Sequence, residues 1–209
     1  PGGERVVAVA VDNPSQANGF ARLTTAEAVR FAKDSDAFEA FGYYDWAGMT
    51  MLDGGRPREI AINFVSEGFF AALGVAPLHG RTFQAADMSD ADRPVVLSYV
   101  EWQRLTGGDP AAVGTLIDSA NEGRFRIIGV MPPAFDYPVA DVGAWRPFNL
   151  ARLQPDQPGY RNARFLDGVG LLPAGVDAEV ALQRVQQAAD QVRAEFGLPD
   201  AGWRVTATP

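Results

Sequence analysis

The sequence predicts an α+β fold of two subdomains, in which both ends of the chain build one layer and the middle is inserted into it. Three observations carry this. The front of the chain reads strand, capped helix, strand; the back reads strand, long amphipathic helix, strand; and between about residues 75 and 155 the turns become denser and the apolar segments shorter. Such an order places both termini on the same subdomain.

The first strand is expected over residues 5–11, where Val7, Val9 and Val11 share one face, followed by a loop rich in proline, asparagine and glycine through Gly19. Thr24-Thr25-Ala26-Glu27 has the form of a capping box, so a helix should start there and run to about Lys33, stopped by Asp34-Ser35-Asp36. Residues 38–44 and 59–65 read as strands, the second with Ile60, Ile62 and Phe64 on one side, and Asp53-Gly54-Gly55 supplies a turn between them. Ser66 is expected to cap a short helix through Leu73 that ends at Gly74.

In the middle, strands are expected over 94–98, 113–119 and 124–130 and a helix over 100–105. Asn121-Glu122-Gly123 turns between the last two strands, and Pro132-Pro133 closes the segment. At the back, residues 165–172 form a strand, Pro173-Ala174-Gly175 a turn, and 176–196 the clearest helix of the chain. Leu182, Val185, Ala189, Val192 and Phe196 recur at spacings of three and four and make its core face, while Gln183, Gln186, Gln187, Asp190 and Arg193 lie elsewhere around it. Gly197 and Pro199 end the helix, and residues 203–208 close with a strand.

A chain of 209 residues, 47% hydrophobic, can bury a substantial core. Its net charge of −8 argues against nucleic acid, which needs clustered positive charge, and against anionic lipid, which needs a polybasic patch. No run of about 18 apolar residues is present to span a bilayer. The chain starts at Pro1, without a methionine or a secretory signal, and its ends read as cut from a longer protein. The absence of cysteine removes disulfides, thiolate metal sites and thiol nucleophiles together.

Chemistry is sparse. The one histidine, His79, sits in a loop without cysteines to share a metal. Ser98 lacks the flanking glycines of a nucleophile elbow and reads as a strand end or helix cap. Asp87, Ser89, Asp90 and Asp92 depart from the EF-hand spacing and read as a solvated acidic loop. Gly168-Val169-Gly170 meets Pro173 where a dinucleotide fingerprint wants its third glycine, and no Walker A sequence occurs. Trp46, Trp102, Trp145 and Trp203, with Phe69, Phe70 and Phe83, read as dispersed core; Tyr43-Tyr44-Asp45-Trp46 is the stretch that reads as an exposed contact patch. No catalytic, cofactor-binding or metal-binding residue is assigned.

Val65-Ser66-Glu67-Gly68-Phe69-Phe70-Ala71-Ala72-Leu73-Gly74-Val75 resembles the signature of the MacB-type periplasmic core domain, found in permease subunits of MacB and FtsX-like ABC transporters. The likeness continues in order through Gly80-Arg81-Thr82-Phe83, Val95-Val96-Leu97-Ser98-Tyr99 with Trp102, and Gly107-Gly108-Asp109-Pro110 with Val113-Gly114. It extends through Ile127-Ile128-Gly129-Val130-Met131-Pro132 with Phe135 and Pro138, then Trp145 and Pro147, and Arg164-Phe165-Leu166 with Leu171, Pro173, Gly175 and Val176. Glu67, where the pattern has proline, and Ala174, between Pro173 and Gly175, depart from it. Physically these residues specify fold: glycines such as Gly74, Gly80, Gly107, Gly108, Gly114 and Gly129 at element ends, and Asp109 capping ahead of Pro110.

The resemblance implies a porter-like layer from residues 1–74 and 156–209 and an inserted Sabre-like subdomain from 75–155. It implies a position on the periplasmic face of the inner membrane, anchored by membrane helices of the full-length permease, with no enzymatic activity and no cofactor. The implied partners are a cytoplasmic ATPase, acting through those helices, and a second permease copy or a periplasmic adaptor. Movement of the helices would shift the domain against a partner or cargo. The alternative is an extracytoplasmic module that senses or captures a ligand.

Overall fold

The computed structural model describes residues 5–13, 22–34, 36–89, 91–148, 163–197 and 202–208. Ser35, Asp90, Pro199 and the loop through Gly19 lie outside them. Two compact units divide the chain: Pro1–Tyr44, Gly68–Gly74 and Leu150–Pro209 form the first, and Asp45–Glu67 with Val75–Asn149 the second.

The first unit is a sheet backed by helices. Strand β1 (Val6–Asp12) buries Val7, Val9 and Val11, and the short β2 (Leu23–Thr24) leads into helix α1 (Thr25–Asp34). The capping box forms as expected: the Thr24 N–H donates to Glu27 Oε2 at 2.9 Å and the Glu27 N–H to Thr24 Oγ1 at 3.2 Å. β3 (Ala40–Asp53) contributes its first five residues here and β10 (Arg164–Leu171) pairs with them antiparallel, from Asp167 opposite Tyr44 to Leu171 opposite Ala40. β1 lies between β10 and the last strand, β11 (Arg204–Thr208), antiparallel to both.

Helix α4 (Ala178–Phe196) is capped by Asp177, whose carboxylate accepts from the Glu179 N–H at 2.8 Å, and ends at Gly197 with φ 61. It buries Ala181, Val185, Ala189 and Val192, while Leu182 and Phe196 are half-buried. Arg193, expected away from the core face, is also buried, because its guanidinium joins an ionic cluster with Glu27 and Asp190. Glu27 itself is fully buried and holds Arg164 through two hydrogen bonds of 2.9 and 3.0 Å.

Between β3 and α2 (Phe69–Ala72) the backbones touch. The helix follows Gly68 without a side-chain cap, so Ser66, buried two residues earlier, is not the cap the sequence suggested. Phe69 and Phe70 are buried, and Gly74 ends the turn with φ 65.

In the second unit the strands close on themselves. From Asp45 onward β3 neighbours β4 (Arg56–Val65), turning at Asp53-Gly54-Gly55 as expected; β4 runs parallel to β9 (Val142–Pro147). β9 pairs with β6 (Pro94–Leu97), β6 with β8 (Gly123–Val130), and β8 with β7 (Leu116–Ser119). β7 returns to β3 where Ser119 faces Met51, and the Ala120 N–H and Ser119 Oγ both donate to the Thr50 carbonyl. The two-residue β5 (His79–Gly80) pairs with the far end of β8. Closure leaves few edges to satisfy, and the interior fills with side chains: Met49, Met51, Ile60, Ile62, Val95, Leu97, Phe125, Ile127 and Ala144, with Trp102 from helix α3 (Tyr99–Thr106).

β9 and the continuation of β3 past Tyr44 were not anticipated from the sequence, nor was β5. Gly129 stands inside β8, not at an element end; a Cβ there would lie 2.2 Å from the Arg81 carbonyl oxygen. Arg146 on β9, 5% exposed, is held between Phe125 at 4.4 Å and Phe64 at 5.1 Å and donates to Glu122 at 2.8 Å. No described helix is long and apolar enough to cross a membrane.

Candidate functional site

The residues with chemical potential do not converge. Ser98 starts α3, its Oγ accepting from the Glu101 N–H at 3.2 Å, and its own N–H donates to the Gly143 carbonyl at 2.9 Å. It is the helix cap that the sequence suggested. His79 lies on β5 with its ring 5.2 Å from that of Trp102, and no hydrogen bond joins it to Ser98. A nucleophile and base held together, the minimum for acyl-transfer chemistry, is therefore not assembled by this pair. Among the described residues no group of three or more histidine or acidic side chains is placed to hold a metal ion.

The acidic loop resolves into an ion pair. Arg81 donates to Asp87 from both Nη atoms, at 2.5 and 3.0 Å, and the Gln84 N–H adds a third bond at 2.8 Å; Asp87 is the third residue of a short 3-10 helix, Ala85–Ser89. Burial by itself raises the Asp87 carboxyl, but these bonds and the charge of Arg81 outweigh it and hold the group below the usual carboxylate range. A depressed folded-state value means stabilisation that is complete above the unfolded value of about 4 and lost as pH falls through the folded one. Acid titration of stability should accordingly lose part of its slope below about pH 4 in Asp87→Asn; an unchanged acid limb would show that the pair contributes nothing.

Tyr43 and Tyr44 are buried on β3, 7% and 8% exposed, and burial pushes the Tyr43 hydroxyl well above the ordinary tyrosine range. The expected contact patch is thus reduced to Asp45, half-buried, and Trp46, 37% exposed. Both tyrosines face packed elements because the strand is covered on both sides there: Tyr44 meets Phe69 edge-on at 5.5 Å. Of the other tryptophans, Trp102 and Trp145 are core, and Trp203 is half-buried with the Arg164 guanidinium 3.8 Å above its ring.

What the second unit does offer is a groove of about 460 Å³, within the range of ligand and peptide pockets. The start of α3 forms one wall with Ser98, Tyr99 and Val100; the start of β9 and the segment before it, including Phe135, Asp136 and Asp141, form the other; residues 58–61 of β4 complete it. Glu101, its side chain 5% exposed, is paired with Arg58, and Asp53 lies 3.7 Å from Arg58 Nε. Phe135 is fixed against Trp145 at 5.2 Å. Nothing in the sequence marked this groove, since its residues come from three separated segments.

A family model described as the MacB-like periplasmic core domain matches residues 2–194. Among solved structures, the periplasmic region of MacB from Actinobacillus actinomycetemcomitans superposes with a TM-score of 0.68 at 14% identity, over 98% of this chain and 89% of that one. The extracellular domain of the noncanonic ABC-type transporter YknZ from Gram-positive bacteria gives 0.66 at 15% identity, over 96% and 99%. At these identities the likeness shows the fold. No curated protein matches in sequence.

Proposed function

Because the chain belongs to the MacB-like periplasmic core domain family, the extracytoplasmic part of an ABC-transporter permease, we propose that it couples ATP-driven movement of the membrane helices to contacts with a partner or cargo outside the membrane. The ATPase hydrolyses ATP in the cytoplasm, the permease helices shift, and this domain moves with them. It carries no catalysis of its own. The unit holding both ends of the chain takes the porter-like role, and the middle unit the role of the inserted Sabre-like subdomain.

One observation carries the reading. β1 and β11, the first and last described strands, are antiparallel neighbours, with Ala8 opposite Thr208 and Asp12 opposite Arg204. The start of β1 and the end of β11 therefore lie at the same end of one ladder, so displacement of the chain on either side acts on the same two strands. A hydrogen-bonded pair within a sheet transmits such a displacement as a rigid element instead of absorbing it, which is what hinge or shear motion of a whole domain requires.

The test is crosslinking in the full-length permease, in membranes with its ATPase. Trp46→Cys and Leu116→Cys supply attachment points; both residues are exposed, at 37% and 45%, and this chain has no cysteine of its own, whereas Tyr44 is buried. Crosslinks to a second copy or another protein should change between the ATP-locked and nucleotide-free states. A fixed pattern would sink the coupling and favour ligand capture.

A further inference from the structure

We propose that the groove of the middle unit docks an extended peptide segment, cationic and apolar in alternation, of an extracytoplasmic partner protein. The inference rests on the reading above in taking partner contact as the domain's task; it adds where the contact is made and with what chemistry.

Two features argue for it. The first is exposed apolar surface at the groove. Val100, in the first turn of α3, is 65% exposed and lines it; Val139, 48% exposed, lies on the segment that supplies Phe135, Asp136 and Asp141. An isolated exposed valine needs no explanation, but Val100 beside the fixed ring of Phe135 in one concave surface forms an apolar spot suited to a partner's side chains.

The second is unbalanced charge. Glu101 is taken up by Arg58, which leaves Glu59, Asp136 and Asp141 against Arg104. None of these four makes an ion pair or side-chain hydrogen bond in the structure, and all four are exposed. The three carboxylates do not converge closely enough to hold a metal ion. Negative charge spread along a groove is complementary to several cations spaced along a chain, not to one compact ion. Such charges set orientation and on-rate, while the apolar contacts supply the burial that holds the complex.

Titration of the 209-residue chain with a fluorescent nine-residue peptide alternating lysine and leucine tests this. Binding is expected to weaken about tenfold or more in Asp136→Asn/Asp141→Asn and several-fold in Val100→Ser. The control Asp92→Asn/Asp118→Asn removes two exposed carboxylates outside the groove lining and should leave the affinity unchanged. A peptide with glutamate for lysine should not bind, and spermine, which carries the charge without the apolar groups, should compete poorly. All substituted side chains are exposed, so the variants should keep the native circular dichroism. Equal weakening in the control, equal affinity in the groove variants, or equally strong binding of spermine would each overturn the proposal. Because the titration uses neither ATPase nor membrane, its failure leaves the ATP-dependent crosslinks as a separate question.

Discussion

Glu27→Ala is expected to lower the stability of the domain by about 3–5 kcal/mol, the cost of breaking a buried ion pair by removing one partner. Against a total of about 5–15 kcal/mol for a folded protein, that is roughly a fifth or more of what holds the chain together. The size follows from what the carboxylate does. It is fully buried, accepts two hydrogen bonds from Arg164, takes the Thr24 N–H at the start of α1, and lies 3.7 Å from Arg193 Nη1.

The cost falls unevenly on the two arginines. Arg193, its side chain 4% exposed, keeps Asp190 after the substitution. Arg164, 15% exposed, keeps the Arg22 carbonyl at 2.8 Å and the ring of Trp203, but no carboxylate. A guanidinium left in that position without a counter-charge pays its desolvation unrecovered. Glu27→Gln retains the shape and an acceptor oxygen but not the charge, so it should fall between wild type and alanine. Denaturant unfolding midpoints at constant slope measure all three. A loss below about 1 kcal/mol for Glu27→Ala would mean that water reaches the cluster.

Gly42→Ala is the second substitution of large expected effect, at about 3 kcal/mol or more. A Cβ on Gly42 would lie 2.3 Å from Phe69 Cα and 2.7 Å from Phe69 N, and one on Gly68 would lie 2.2 Å from the Phe41 carbonyl oxygen. The obstacles are backbone atoms on both sides of one contact, so no side-chain rotation relieves them. β3 and α2 would have to separate, and Phe69 and Phe70 would leave fully packed positions. Gly54→Ala is the comparison: its φ of 55 disfavours a Cβ, but nothing lies within 4 Å. That change should cost only the conformational penalty of about 1–2 kcal/mol. Thermal unfolding of the two variants should rank them in this order, and equal shifts would show that the β3–α2 contact yields.

The signals that proved readable along the chain are those that act within a few residues. The Thr24–Glu27 box, the Asp109 cap ahead of Pro110, the Ser98 cap and the alternating valines of β1 all appear as expected, because each is a short-range hydrogen-bond or periodicity device. Asp87 shows the limit. Its residue type reads as solvated, yet Arg81, six residues earlier, folds back to pair with it. The groove was hidden for the same reason: Val100 and Asp136 become neighbours of one cavity only when β9 and α3 take their places.

Sequence alone determined the α+β class, most element positions, the absence of thiol chemistry, and the ordered motifs by which the family can be recognised, since all of these depend on local composition and spacing. Tertiary structure decided the rest. β9 is a strand although Gly143 and Ala144 carry little strand preference, because β4 and β6 flank it and satisfy its backbone. Asp45–Glu67 belong to the middle unit because β4 finds its parallel partner there. Tyr44, Arg146 and Arg193 are buried against the ordinary preference of their side chains, each because a distant segment supplies the ring or the carboxylate that makes burial tolerable. A linear pattern specifies which face of an element is apolar; only the assembled fold specifies what covers it.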